Sequence, residues 1–196
     1  MPLQSISDMK ASSRLSIVKN HDNTYIRDGL KSLELQSKWV ALSKYPLPNK
    51  KYVKELDSSI TLSVPLVEND ELYAFFKHLD EFVESQNLCP NKKQNKFIKQ
   101  KNEQTFLKIK SYITTTVFIY GDAKGTPLNC GGTNPKPKVT IMDFHDYLKE
   151  NTEMRFIFSI GKMYEINGEY GFLIYAQRIQ FKRAAKKYYY IYRFYR

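Results

Sequence analysis

The sequence predicts a mainly β chain of the α+β class, a small barrel of five strands with two helices attached. Three observations predict it. Several stretches rich in Thr, Val, Ile, Phe and Tyr alternate apolar and polar residues, the period of a half-buried strand. Two stretches, near 70–86 and 140–151, carry apolar residues at helical spacing instead. Asn167-Gly168 lies between two alternating runs, a strong short-range hairpin signal. With 196 residues the chain fits one domain with short extensions.

The elements follow in order. Residues 1–28 are polar with little periodicity and are expected to form an arm. In LKSLELQSKWV, Leu33, Leu35, Ser37 and Trp39 fall on one face and Ser32, Glu34, Gln36 and Lys38 on the other, as in a strand. The prolines of YPLPNKK enforce an irregular connection. SSITLSVPLV is a second strand, with Ile60, Leu62 and Val64 inward and Pro65 at its end or on an edge. Leu72, Phe75, Phe76, Leu79, Phe82 and Val83 then mark an amphipathic helix, with Asn69 as N-cap and Asp70 and Glu71 at its positive start. Asp80, Glu81 and Glu84 on that helix are expected to be a solvated acidic face, with His78 at the surface.

A Lys-rich loop leads into a long strand from about Thr105 to Tyr120, long enough to bend or carry a bulge. GDAKGTPLNCGGTNPKPKV reads as a basic loop, and its glycines do not match a phosphate-cradling motif. A second helix follows, N-capped by Thr140, with Ile141, Phe144, Tyr147 and Leu148 on its buried face. MRFIFSIGKMYEINGEYGFLIYAQRIQF is the closing hairpin. This order of strands and helices, with one long bent strand, fits an OB-like five-stranded barrel over residues 29–183.

Charge and aromatic content bear on function. Thirty-one Lys and Arg face twenty Asp and Glu, a net charge of +11, and 14% of residues are aromatic. Such a chain suits a polyanion that carries stackable rings, which is nucleic acid; a basic protein that merely stays soluble is the plain alternative. No apolar run reaches the length of a membrane span, and the first residues lack the apolar core of a secretory signal. Cys89 and Cys130 form no metal or disulfide framework, so a reducing compartment is expected. Three scattered histidines and the absence of nucleophile-elbow, zinc-protease and dithiol motifs point away from catalysis and away from any cofactor.

The tail beyond Lys182 has no acidic residue and interleaves cations with Tyr188, Tyr189, Tyr190, Tyr192, Phe194 and Tyr195. Nucleic-acid contact, self-association and an interfacial membrane segment are its three readings. The expectation is a homo-oligomer linked through residues 184–196, because a contiguous aromatic patch favours association.

Order and local wording also resemble the OB-fold single-stranded DNA-binding proteins of large eukaryotic DNA viruses. LKSLELQSKWV is similar to that family's early strand, with Gln36-Ser37-Lys38-Trp39 where the family has Gln-Thr-Pro and an aromatic. ITLSVPLVENDELYAFFKHLDEFVESQ resembles its strand and leucine-aspartate helix. FLKIKSYITTTVFIYGD resembles the strand that opens on Lys-x-Lys, and Tyr164 with Tyr170-Gly171 resembles its closing hairpin. Together these cover about residues 29–182. The basic aromatic end departs from phage-type relatives, which end in an acidic tail that recruits partners.

The resemblance implies coating of single-stranded DNA without sequence reading during viral replication or recombination. Replication proteins are then partners, no membrane is involved, and the location is the host nucleus or a cytoplasmic replication site. Lys38, Lys108, Lys110, Arg155, Lys162 and Arg178 are the candidate phosphate contacts, and Trp39, Tyr112, Tyr120, Tyr164 and Tyr175 the candidate stacking residues. A basic scaffold that assembles through the tail and a single-stranded RNA-binding protein are the competing readings.

Overall fold

The computed structural model describes residues 4–5, 15–29, 31–41, 60–67, 70–111, 116–120, 127–128 and 153–182. The chain opens with β1 (Gln4–Ser5), β2 (Leu15–Asn20), β3 (Asn23–Asp28), β4 (Lys31–Ser32), β5 (Glu34–Gln36) and β6 (Val40–Ala41). Then come β7 (Ile60–Pro65), helix α1 (Glu71–Ser85), β8 (Lys93–Gln94), β9 (Ile98–Lys101) and β10 (Gln104–Ser111). The last elements are β11 (Thr116–Tyr120), β12 (Pro127–Leu128), β13 (Glu153–Ile166) and β14 (Glu169–Lys182).

The spine of the fold is the antiparallel β13–β14 hairpin. Asn167 and Gly168 close it with φ of 50° and 77°, the left-handed pair that a two-residue hairpin turn needs. Each strand has 14 residues and therefore runs about 45 Å. Shorter strands pair along this spine at separate places. β3, β5 and β6 pair antiparallel to β13. β8, β10 and β11 pair parallel to β14. β7 and β9 add antiparallel to β10. Pro65 is the last residue of β7, where its missing N–H leaves the ladder intact.

The expectation of an OB-like five-stranded barrel is thus corrected. The described strands join one large mixed sheet around a long hairpin, with a single helix among the described residues. The sequence treats 105–120 as one bent strand that would close a barrel. In the structure its two parts are separate strands, β10 and β11, which pair with opposite halves of β14. A spine that long offers more pairing edge than a small barrel uses. The predicted helix at 140–151, the tail from 184 and, apart from β12, the predicted loop at 121–139 lie outside the described residues.

Residues 15–28, which the sequence reading places in a polar arm, form the β2–β3 hairpin. Thr24 and Ile26 turn inward, with Ile26 only 1% exposed, and Tyr25 pairs in register with Lys162 of β13.

α1 covers one face of the sheet. It begins at Glu71 with Asp70 in the N-cap position. Leu72, Phe75, Phe76, Leu79 and Val83 are buried on it, the face that the helical spacing predicts. Phe76 is the centre of an aromatic cluster, with ring centroids 5.2 Å from Phe75, 5.6 Å from Phe97 and 5.4 Å from Phe158. Leu35, Leu62, Leu107, Ile109, Phe156, Ile174 and Ile179 complete the core from the sheet side.

Asp80 departs from the expected solvated acidic face. It follows Leu72 and Phe76 on one row of the helix, four residues apart, and is 5% exposed. Its Oδ1 accepts the Phe97 N–H at 2.6 Å and its Oδ2 the Ile98 N–H at 3.1 Å, so the helix holds the segment leading into β9. Burial pushes the Asp80 carboxyl above its ordinary pKa, against those two donors and the nearby Lys96 and Lys99.

A raised folded pKa means that the folded state binds the proton more tightly than the unfolded chain. The contribution of Asp80 to stability is therefore full below the ordinary carboxylate value and falls as pH rises through the raised one. Replacing it by Asn removes one acceptor and sets an amide donor against a buried N–H. Asp80→Asn is expected to cost about 1–3 kcal/mol. Urea unfolding of both proteins at neutral pH, where the ionised carboxylate offers both oxygens as acceptors, should show this gap.

Candidate nucleic-acid interface

Cross-strand partners project to the same face of a sheet, so the register sorts the side chains. Phe156 with Ile179, Phe158 with Ala176 and Ile160 with Ile174 point toward α1. The opposite face carries Arg155 with Gln180, Ile157 with Arg178 and Ser159 with Tyr175. β10 continues that face on the other side of β14. Lys110 pairs with Tyr175 and with Thr61, and Lys108 with Ser63.

Two irregularities in the ladder arrange this face. Between Ile157 and Phe158, β14 holds Gln177 as an extra residue, so Ala176 and Arg178 stand on opposite faces although two apart. Between Ile160 and Met163 the extra residue is on β13, at Gly161-Lys162. Gly161 lies under the Tyr175 ring, and a Cβ there would stand 2.3 Å from Tyr175 Cε2. Tyr175 can lie along the sheet only because position 161 has no side chain.

Five of the predicted residues, Lys108, Lys110, Arg155, Tyr175 and Arg178, therefore share one face. Lys108 and Arg178 are exposed, and Lys110, Arg155 and Tyr175 half-buried. Trp39 joins them, because the Arg155 guanidinium sits 4.8 Å from the centroid of its ring. Arg155 also donates from Nε to Gln180 Oε1 at 2.7 Å, which holds the guanidinium in place.

The remaining predicted residues lie away from the Tyr175 cluster, Lys162 alone among them being in register with a further part of the same face. Lys38 pairs with Glu71 of α1 at 2.8 Å. Lys162 is exposed at the β13 bulge, opposite Tyr25. Tyr164 lies near the hairpin turn opposite Gly171, where burial and Glu169 push its phenol above the ordinary pKa. Tyr120 belongs to β11, where it pairs in register with Lys182, and Tyr112 lies outside the described residues.

The sequence reading missed a second part of this face. The β2–β3 hairpin adds Tyr25 and Arg27, with the Arg27 guanidinium 5.2 Å from the Tyr25 ring centroid and its Nη1 donating to Ser32 Oγ at 2.6 Å. Between them and β13 runs an open groove with Ile26 and Ile160 in its floor. Glu34, Ser159 and Gln177 line its other side, and Gln177 Nε2 donates to Ser159 Oγ at 2.7 Å. The signal was present in the sequence: Thr24 and Ile26 alternate with Tyr25 and Arg27 just after the turn at His21-Asp22.

Nothing in the described residues is arranged for nucleophilic chemistry at Cys89. Its thiol donates to Glu165 Oε1 at 3.4 Å, and burial together with that carboxylate pushes its pKa up, which keeps it protonated. Lys92 pairs with the same carboxylate. Among the described residues no group of three or more His, Cys, Asp or Glu is placed to hold a metal ion.

No family model and no curated protein matches the chain. Among solved structures it is similar to gp2.5, a single-stranded DNA-binding protein encoded by bacteriophage T7, at 10% identity and a TM-score of 0.42, over 78% of this chain and 87% of that one. It is also similar to the single-stranded DNA-binding protein from bacteriophage Enc34, at 13% identity and a TM-score of 0.43, over 86% of this chain and 89% of that one. The C-terminally truncated form of the Enc34 protein gives 12% identity and a TM-score of 0.43, over 87% and 95% of the two chains. These are bacteriophage proteins and lend nothing to a kinship with large eukaryotic DNA viruses. At such low likeness, what this chain binds has to be decided by its own residues.

Proposed function

We propose that this chain binds single-stranded nucleic acid, DNA in particular, across the sheet face opposite α1, the one that carries Lys108, Lys110, Tyr175 and Arg178. One observation carries the reading: the register of β7, β10, β13 and β14 sets Lys108, Lys110 and Arg178 around Tyr175 on a single face. Cations spaced along a sheet track phosphates, and an aromatic ring among them stacks on a base whatever its identity. A duplex keeps its bases stacked inside and offers that ring nothing, so single strands are preferred. The net charge of +11 adds long-range attraction for any polyanion. The choice of DNA over RNA, and a role in coating strands exposed during viral replication or recombination, draw on the sequence resemblance. Such a role places the protein where viral DNA is copied.

The test is a salt titration. Wild type and the double variant Lys108→Ala/Lys110→Ala are compared by fluorescence anisotropy on a dT oligonucleotide and on a duplex of equal length. The double variant should bind the single strand about tenfold more weakly, and its slope of log K against log salt should be shallower by about 1.4, two phosphate contacts at roughly 0.7 each. Equal wild-type affinity for the single strand and the duplex, or an unchanged slope, would reject the reading.

A further inference from the structure

The groove between the β2–β3 hairpin and β13 adjoins the Tyr175 face through Ser159, which pairs with Tyr175 in the register. Its chemistry differs from that of the rest of the face. One wall is planar: the Tyr25 ring and the Arg27 guanidinium laid against it. Arg27 is held there by its bond to Ser32, so the wall is fixed before any ligand arrives. Across the groove stands Glu34, exposed, with no hydrogen-bond or ion-pair partner among the described residues.

A carboxylate is out of place on a phosphate-binding face. It repels the backbone, and the nearby guanidinium of Arg27 is turned to Ser32 rather than to it. The conflict disappears if the groove takes a base rather than a phosphate. A flat wall then stacks the ring, and the acceptor meets donors on the base edge. Guanine is the base whose Watson–Crick edge presents two adjacent donors, N1–H and N2–H, and a carboxylate has two oxygens to receive them. Adenine and cytosine each offer an exocyclic amine beside a ring acceptor, which faces the second carboxylate oxygen unfavourably. Thymine offers one N–H between two carbonyl oxygens.

We infer that this groove is a guanine-preferring base subsite, in which a base stacks on the Tyr25–Arg27 wall while Glu34 accepts its N1–H and N2–H. The inference rests on the single-strand reading above and adds a base preference to an otherwise sequence-tolerant surface. Gln177, tied to Ser159, borders the same groove and supplies a further polar edge.

The experiment uses the full chain and dT oligonucleotides carrying one central dG, dA, dC or inosine. The dG oligonucleotide should bind about tenfold more tightly than the dA and dC ones. Inosine, which lacks the N2 amine, should fall between dG and dA. Glu34→Gln should remove the dG preference, bringing dG to the level of dA. Glu34 is exposed, so this variant is expected to fold. Equal affinity of wild type for all four oligonucleotides, with dT binding intact, overturns the subsite and leaves the single-strand reading standing. A preference for dG that survives Glu34→Gln also overturns it. Absence of binding to plain dT overturns the single-strand reading itself.

Discussion

Phe76→Ala is expected to lower the stability of the fold by about 3–5 kcal/mol. The Phe76 side chain is fully buried and stands where three parts of the chain meet: α1, the segment entering β9 through Phe97, and the sheet through Phe158. Phe97 in turn stacks on Phe172 of β14 at 6.3 Å. Truncation removes a ring from the middle of this series, and the surrounding rings cannot all move into the space, because each is also held by its own strand or helix. The loss is therefore the transfer free energy of the ring plus a cavity. Phe76→Leu keeps most of the volume and should cost clearly less. Urea midpoints for the two variants check this. Equal losses would mean that the cluster repacks and that Phe76 is not its centre.

Tyr175→Ala is expected to weaken binding of a short dT oligonucleotide by about 1–3 kcal/mol, roughly 5- to 150-fold. The ring lies among Lys110, Ser159 and Arg178, the position where a stacked base would keep its phosphates within reach of the cations. Tyr175→Phe keeps the ring face and should bind within about twofold of wild type. Gly161→Ala gives an independent check without touching the ring. The new methyl group would stand 2.3 Å from Cε2 and 3.4 Å from the Leu173 carbonyl oxygen. The ring can swing away and the backbone need not move, so the variant should fold while holding Tyr175 off the sheet. Affinity should then drop toward that of Tyr175→Ala, with a double variant no weaker than Tyr175→Ala alone. Additive losses would show that Gly161 acts otherwise than through the ring.

Local rules made several elements legible. The helical spacing from Leu72 to Val83 located α1 within two residues, because burial on one helix face imposes its period directly on the sequence. Asn167-Gly168 identified the closing hairpin, because few other residues accept two successive left-handed conformations. Alternation around Lys108, Lys110 and Tyr175 placed candidate side chains on strands. The polar face of α1 was misjudged at Asp80, since its partners are the N–H groups of Phe97 and Ile98, and which backbone donors a carboxylate meets is a matter of packing between segments.

By itself, then, the sequence determined helix α1, the strands β7, β10, β13 and β14, and which way most of their side chains alternate, because these depend on periodicity over a few neighbours. Only the tertiary structure decided which strands pair beyond the β13–β14 hairpin. The lengths of β13 and β14 let short strands add at separate places, and that replaced the expected barrel with a large mixed sheet. It decided too that residues 15–28 belong to the folded body, since Ile26 is buried only once β3 meets β13. The placement of Arg178 and Tyr175 on one face was decided in the same way. A one-residue bulge at Gln177 sends Arg178 to the face of Tyr175 and leaves Ala176 in the core, and no pattern within β14 alone records an insertion that exists only relative to its partner strand.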